Sequence, residues 1–217
     1  MKQTEGTETA NVSFDLGAAT MNYGNNAPYF QWGRKDPMPP STGLANTRKG
    51  TYGTYSTFAI MSTTDISKTI RTPHYFNDNV GNPSLELWDV GNTSTMVNVN
   101  PIIKSIYDPS PVGFHLPCSG ASQGWEEAGR SYWQNTTGKW GRYFYQLGPT
   151  TGNAVFFPAL GYYKSGALIY TSEQGLYYSA GTISTVSGVF FFFFSTGVDP
   201  YHVDYRSFGF ACRPVSE

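Results

Sequence analysis

Five consecutive phenylalanines, Phe190 to Phe194, follow Val189 near the C-terminus, and no other feature of the chain restricts its fold as tightly. An extended segment points successive side chains to opposite faces, so this run puts large rings on both sides of a strand. One reading sends Phe190, Phe192 and Phe194 into a core and leaves Phe191 and Phe193 on an outward face, where they need a binding role or a covering chain. The other is a central strand buried on both faces, the usual meaning of an uninterrupted apolar run. Both demand a sheet at this end of the molecule.

The sequence around the run agrees. Beyond residue 140, strand-like stretches alternate with glycine-containing turns: Arg142 to Gln146, Ala154 to Pro158, Ala167 to Thr171, Gly175 to Ser179, Val189 to Ser195 and Ser207 to Arg213. Tyr29 to Pro37 reads as an aromatic strand ending in a proline turn, and Leu87-Trp88-Asp89 as an anchored loop whose indole belongs in the core. Two helices are expected. Asn100-Pro101 can cap and start one in which Ile102, Ile103 and Ile106 share a side. The second spans about Ser122 to Trp133, where Trp125, Ala128, Gly129, Tyr132 and Trp133 recur at helical steps and Glu126, Glu127 and Arg130 point away. A short helix within Lys68 to Phe76 is a weaker pattern.

Only 13% of residues are charged and 17% are aromatic, while 24 Gly and 14 Pro supply chain reversals, a balance suited to short strands and long ordered loops. With 14 basic and 15 acidic side chains and no run of either sign, the chain lacks the footprint of a nucleic-acid binder or an anionic-membrane binder. No window approaches the ~20 apolar residues of a membrane span. Residues 1–27 read as a loose leader with one strand around Val12, Phe14 and Leu16, and 28–217 as a single domain. Met1 to Ala10 has no apolar core of a signal peptide, so the chain is expected to begin after a removed export signal. Cys118 and Cys212 either pair, with a stabilisation of roughly 4–5 kcal/mol in the loop-entropy view, or sit as two buried thiols.

Catalytic signatures are missing. There is no G-x-S-x-G elbow, HExxH, CxxC, calcium-loop carboxylate cluster or phosphate-binding glycine pattern, and His74, His115 and His202 lie in unrelated contexts. Glu126 and Glu127 are adjacent and fit a solvated helix face better than a pair flanking one bond. No cofactor, no metal and no catalytic residue is expected.

The C-terminal segment has a second peculiarity. Leu176 to Ser216 is 41 positions without a single Lys, Glu, Gln, Met, Trp or Asn, although the 175 residues before it hold 29 of the first five types. Within it stands a frame, Phe194-Ser195-Thr196-Gly197-Val198-Asp199-Pro200, then five free positions, then Arg206-Ser207-Phe208-Gly209-Phe210-Ala211-Cys212-Arg213-Pro214-Val215. This frame resembles the C-terminus of the variable proteins of bacterial and phage diversity-generating retroelements. Phe30 to Pro37, Ile106 to Phe114 and Phe156 to Ala159 are similar to earlier segments of that family and of the related major paralogous domain. In such proteins the free positions descend from Asn codons scrambled at adenine, which cannot yield Lys, Glu, Gln, Met or Trp. This chain departs from the family by carrying Ser110 after Tyr-Asp-Pro and cysteines at 118 and 212.

The resemblance implies an α+β C-type lectin fold, two helices with small antiparallel sheets and long ordered loops, that displays a variable region at about 176–216. The scrambled slots, and hence the ligand contacts, would be Tyr201, His202, Val203, Asp204, Tyr205 and Phe208, with Tyr178, Ile183, Gly188, Phe191, Phe193 and Ser195 beside them. Tyr201 to Tyr205 form an antibody-like set of aromatic anchors and adaptable polar groups in a loop. The implied role is a receptor or adhesin domain, at a cell surface or on a phage particle, for a protein or glycan on another surface. An enzyme similar to the formylglycine-generating family is the alternative from another class.

Overall fold

Period-two alternation in the C-terminal strands places aromatic rings on both faces of one sheet, and this organises the molecule. The computed structural model describes residues 29–38, 59–73, 75–79, 81, 84–136, 139–145 and 153–217. The suggested leader strand in 1–27 and His74 lie outside them. A five-stranded sheet runs in the order β1 (Tyr29–Phe30), β13 (Phe210–Ala211), β10 (Gln174–Thr182), β11 (Ser187–Phe194) and β12 (Val198–Tyr205). Its pairs are antiparallel except β10 with β13.

Adjacent residues of each strand enter different cores. Tyr29, Tyr177, Phe191, Phe193 and Ala211 join one cluster, with Phe144, Phe157 and Tyr163; Phe30, Tyr178, Phe190 and Phe210 join another, with Trp32, Trp88 and Leu116. The phenylalanine run is therefore a strand buried on both faces over most of its length. The outward placing of Phe191 and Phe193 is corrected: they are 7% and 0% exposed, whereas Phe192 is half-buried and Phe194 lies 37% exposed. At roughly 1.5–3 kcal/mol for each fully buried large apolar side chain, the rings of this hairpin are a main source of cohesion.

A three-stranded antiparallel meander of β5 (Ser131–Thr136), β6 (Lys139–Tyr145) and β7 (Ala154–Pro158) covers the first face. It contributes Phe144 and Phe157, whose rings meet Phe191 edge-on at 5.1 and 5.3 Å. Two-stranded pairs complete the fold: β2 (Ala59–Met61) with β3 (Tyr75–Asn77), β4 (Phe114–His115) with β14 (Val215–Ser216), and β8 (Tyr162–Lys164) with β9 (Ala167–Ile169).

The expected two-helix α+β architecture is overturned. The described residues hold one α-helix, α1 (Ile66–Arg71), a 3-10 turn at Ser119–Ser122, and otherwise strands in several small sheets. Across 122–133 the helical spacing is defeated by Gly124 and Gly129, which adopt φ of 87° and 80° and turn the chain out of right-handed helix. Ser131 to Trp133 then pair with β6. Trp125 is still half-buried against the core, stacked on Phe144 at 4.8 Å, so the pattern registered a core contact made from a turn. At Asn100 to Ile106 side chains compete for the backbone. Asn98 Oδ1 accepts from Asn100 N, and the buried Asp89 carboxylate accepts from Ile103 N at 2.9 Å, holding the segment as a bridge beside Asp89. Ile103 and Ile106 are exposed. The helix sought within Lys68 to Phe76 begins earlier, at Asp65, whose carboxylate caps Ser67 N and Lys68 N, and gives way to β3 at Tyr75.

Among the described residues no helix is long and apolar enough to cross a membrane. Cys118 and Cys212 are free thiols.

Candidate ligand-contact surface

Tyr201 to Tyr205 are part of strand β12 and not of a loop. This strand is the outer edge of the large sheet, hydrogen-bonded to β11 alone. It carries Pro200, which an edge tolerates, opposite a register shift between Phe190 and Phe192. The irregularity re-aims the strand, so that Phe190 faces His202 and Phe192 faces Asp199.

Alternation then divides the expected contact residues. His202 and Asp204 share a face with Phe190 and Gly188, while Val203 shares the other with Val189. His202 packs on Phe192 with ring centroids 4.7 Å apart, and Phe192 stacks on Phe194 at 5.4 Å. Beyond Asp204, Tyr205 meets Phe208 edge-on at 5.6 Å, Phe208 lies 5.6 Å from Tyr162, and Tyr162 stacks on Tyr170 at 5.8 Å. Lys164 Nζ sits 5.3 Å from the Phe208 ring centroid. These side chains form a strip running from Phe194 to Tyr170, aromatic along its length and carrying two carboxylates, an imidazole and an ammonium.

Other expected contacts lie elsewhere. Tyr178, Gly188, Phe191, Phe193 and Phe208 are buried, Tyr178 and Phe193 almost completely. Tyr178 is a structural tie whose hydroxyl donates to Phe208 O at 2.7 Å. Ile183 and Ser195 occupy turns at opposite ends of β11, whose eight residues separate them by roughly 26 Å at ~3.3 Å each, so one small ligand cannot touch both. Tyr162, Tyr170, Phe192, Asp199 and Lys164 were missing from the expected set. The Tyr-Tyr-Lys-Ser-Gly hairpin sequence offers an exposed aromatic turn, but only the fold brings it beside β12.

Phe208 combines membership of the expected set with burial, at 6% exposure. Phe208→Ala should cost about 2 kcal/mol, less than a deep-core phenylalanine because the ring lies at the rim of the core. Tyr205→Ala, at a 45% exposed position, should stay within about 0.5 kcal/mol. Denaturant titration of the two variants checks the split.

Electrostatics centre on His202. The Asp204 carboxylate, 3.8 Å from Nε2, and then Asp199, 3.2 Å from Nδ1, hold the imidazole above its ordinary value of 6.5 against the opposing effect of burial. A pKa raised on folding gives a contribution fully present below about 6.5 and lost as pH rises through the folded-state value. The melting difference between the wild type and His202→Gln should therefore be largest in mildly acidic buffer and shrink above the folded pKa. An NMR titration of the His202 ring supplies that pKa, and a value at or below 6.5 contradicts the assignment.

The frame around the strip is rigid. Arg206, 2% exposed, donates to Ser84 O and Thr185 O and lies with Cζ 5.3 Å from the Trp32 ring centroid. Arg142 donates to Ser195 O at 3.0 Å, fixing the β11–β12 turn. Burial pushes the Cys212 thiol well up, opposite to what an activated cysteine needs. Among the described residues no group of three or more His, Cys, Asp and Glu is placed to hold a metal ion.

No family model matches this chain, and neither the curated proteins nor the solved structures yielded a match to it.

Proposed function

We propose that this chain is a ligand-binding domain whose edge strand β12 displays a substitution-tolerant contact set, diversified by a retroelement, for protein or glycan targets. The observation that carries the reading is the division of residues 201–210. Tyr201, His202, Val203, Asp204 and Tyr205 all reach solvent, while Arg206, Ser207, Gly209 and Phe210, which belong to the fixed frame of the resemblance, are buried; Phe208, a free position of that frame, is the exception and is buried with them. Side chains that tolerate scrambling are those whose change costs little stability, and exposed positions satisfy that condition. The missing amino-acid types of 176–216 also support it, since adenine scrambling of Asn codons yields none of Lys, Glu, Gln, Met or Trp at the free positions. Exposed aromatic rings supply contact area at low entropic cost, and Asp199, His202 and Asp204 supply hydrogen bonds to hydroxyls or to cationic side chains. Such a domain acts outside the cell that makes it, on a bacterial surface or a phage particle.

Sequencing the gene and its flanks from several isolates tests this. The expected result is variation concentrated in the codons of Tyr201 to Tyr205. A nearby near-copy of the gene's end should carry AAC or AAT at those codons, beside a reverse-transcriptase gene. Variation spread evenly over the chain, with no such near-copy, overturns the reading.

A further inference from the structure

The opposite face of the large sheet holds a cavity of about 370 Å³ that the display reading does not use. It lies between the β10–β11 hairpin, the turns around residues 117–125 and the C-terminal strand. Five aromatic side chains line it: Trp125, Phe157, Tyr177, Tyr178 and Phe191. Three of them are locked edge-on, Trp125 meeting Phe157 and Phe191 at 5.5 and 5.1 Å, so the space is bounded by rings already packed in place. Its size falls in the ~300–1,000 Å³ range of small-molecule sites, and its apolar walls with a few polar groups match their usual make-up.

One group in this wall is out of character. Arg213 sits over Phe157, with Cζ 4.2 Å from the ring centroid, and Nη1 donates to Phe156 O at 2.6 Å. No Asp or Glu forms an ion pair with it among the described residues, and its Nε and Nη2 have no protein partner there. Partial burial without a counter-charge disfavours its charged form and pulls the guanidinium below its ordinary value, while its free N–H groups stay open to a ligand. A carboxylate brought by a ligand would supply the missing charge in the planar, paired geometry that guanidinium favours.

We propose that this cavity binds a small flat aromatic carboxylate, with its ring among Trp125, Phe157 and Phe191 and its anionic group on Arg213. Cys118 and the exposed Ala121 line the same space. Cys118 is therefore a reporter of occupancy, since the second thiol, Cys212, is buried.

Calorimetric titration of the full chain with 2-naphthoate and with the neutral 2-naphthamide tests the charge requirement. The naphthoate should bind about tenfold more tightly, the ratio expected for one charge-assisted contact. Arg213→Gln should erase that preference while the amide still binds, which also shows the pocket intact. Ala121→Trp, at an exposed position, should abolish both without lowering the melting temperature. Naphthoate should slow the reaction of Cys118 with 5,5′-dithiobis(2-nitrobenzoate) in the wild type and not in Ala121→Trp. Equal affinity for the two probes, a preference that survives Arg213→Gln, or absence of both binding heat and Cys118 protection at millimolar naphthoate overturns the proposal. Of β12 only Pro200 lines this cavity, and none of these outcomes tests whether Tyr201 to Tyr205 vary, so the display reading stands or falls separately.

Discussion

Replacing Phe193 with alanine lowers the unfolding free energy by about 3–5 kcal/mol, the largest effect expected of a single truncation in this chain. The ring is fully buried, meets Phe144 and Phe157 edge-on at 5.6 and 6.4 Å and stacks on Tyr177 at 6.1 Å. It also lies directly over Gly175 on the paired strand: a Cβ there would come within 2.1 Å of the ring. The lost contacts therefore include backbone on one side and rings on three others, and surrounding aromatics held in fixed geometry collapse poorly into the space. The same geometry makes a coupled expectation. Gly175→Ala is destabilising in the wild type because it drives against the ring, and costs less when Phe193 is already alanine. Urea denaturation of the two single variants and the double variant measures both, and additive costs would show that the ring does not occupy this place.

The second large effect is polar. Gln31→Leu is expected to cost about 3 kcal/mol, although leucine is similar in size and the site is buried. The amide nitrogen of Gln31 donates to Asn77 O at 2.9 Å and to Ser207 O at 2.5 Å, and its oxygen accepts from Asn77 N and Arg34 Nη1, each at 3.0 Å. One side chain thus ties β3 to the segment that follows β12 and orients the buried Arg34, which itself donates to Tyr75 O and Pro73 O at 2.8 Å. Leucine removes four partners at once and leaves buried backbone groups unanswered. A stability loss below 1 kcal/mol by chemical denaturation would mean that these groups find water instead.

Both residues show how the sequence and the fold relate. The segment from Phe30 to Pro37 stands out in the chain as a motif, but nothing in its order says that Gln31 reaches Asn77 and Ser207. The phenylalanine run required a sheet, and the sheet is there. Its outward and inward faces could not be assigned from alternation, because both faces are covered and the covering strands β5 to β7 are set by long-range pairing. The two expected helices failed for local reasons visible afterwards in Gly124, Gly129 and Asp89, where turn geometry and a side-chain acceptor outweighed three-and-four spacing. Of the expected contact residues, Tyr201 to Tyr205 reach solvent, whereas Tyr178, Phe191, Phe193 and Phe208 serve the core. Aromatic side chains are equally suited to either duty, so residue type alone cannot separate them.

The acidic groups of β12 also have a plain structural duty. An edge strand exposes unpaired backbone donors and acceptors, and Asp199, Pro200 and Asp204 discourage another strand from adding to it. Display and protection are compatible, since both favour charged, exposed side chains at those positions.

What the amino-acid order determined alone was local and compositional: a chain poor in charge and rich in rings and glycine must build short strands, and residues 176–216 avoid particular amino acids. What tertiary structure decided was accessibility. Whether a tyrosine or phenylalanine is anchor or surface depends on which distant strand lies over it, and that is fixed by the pairing of β11 between β10 and β12 and by the bulge that turns His202 toward Phe192.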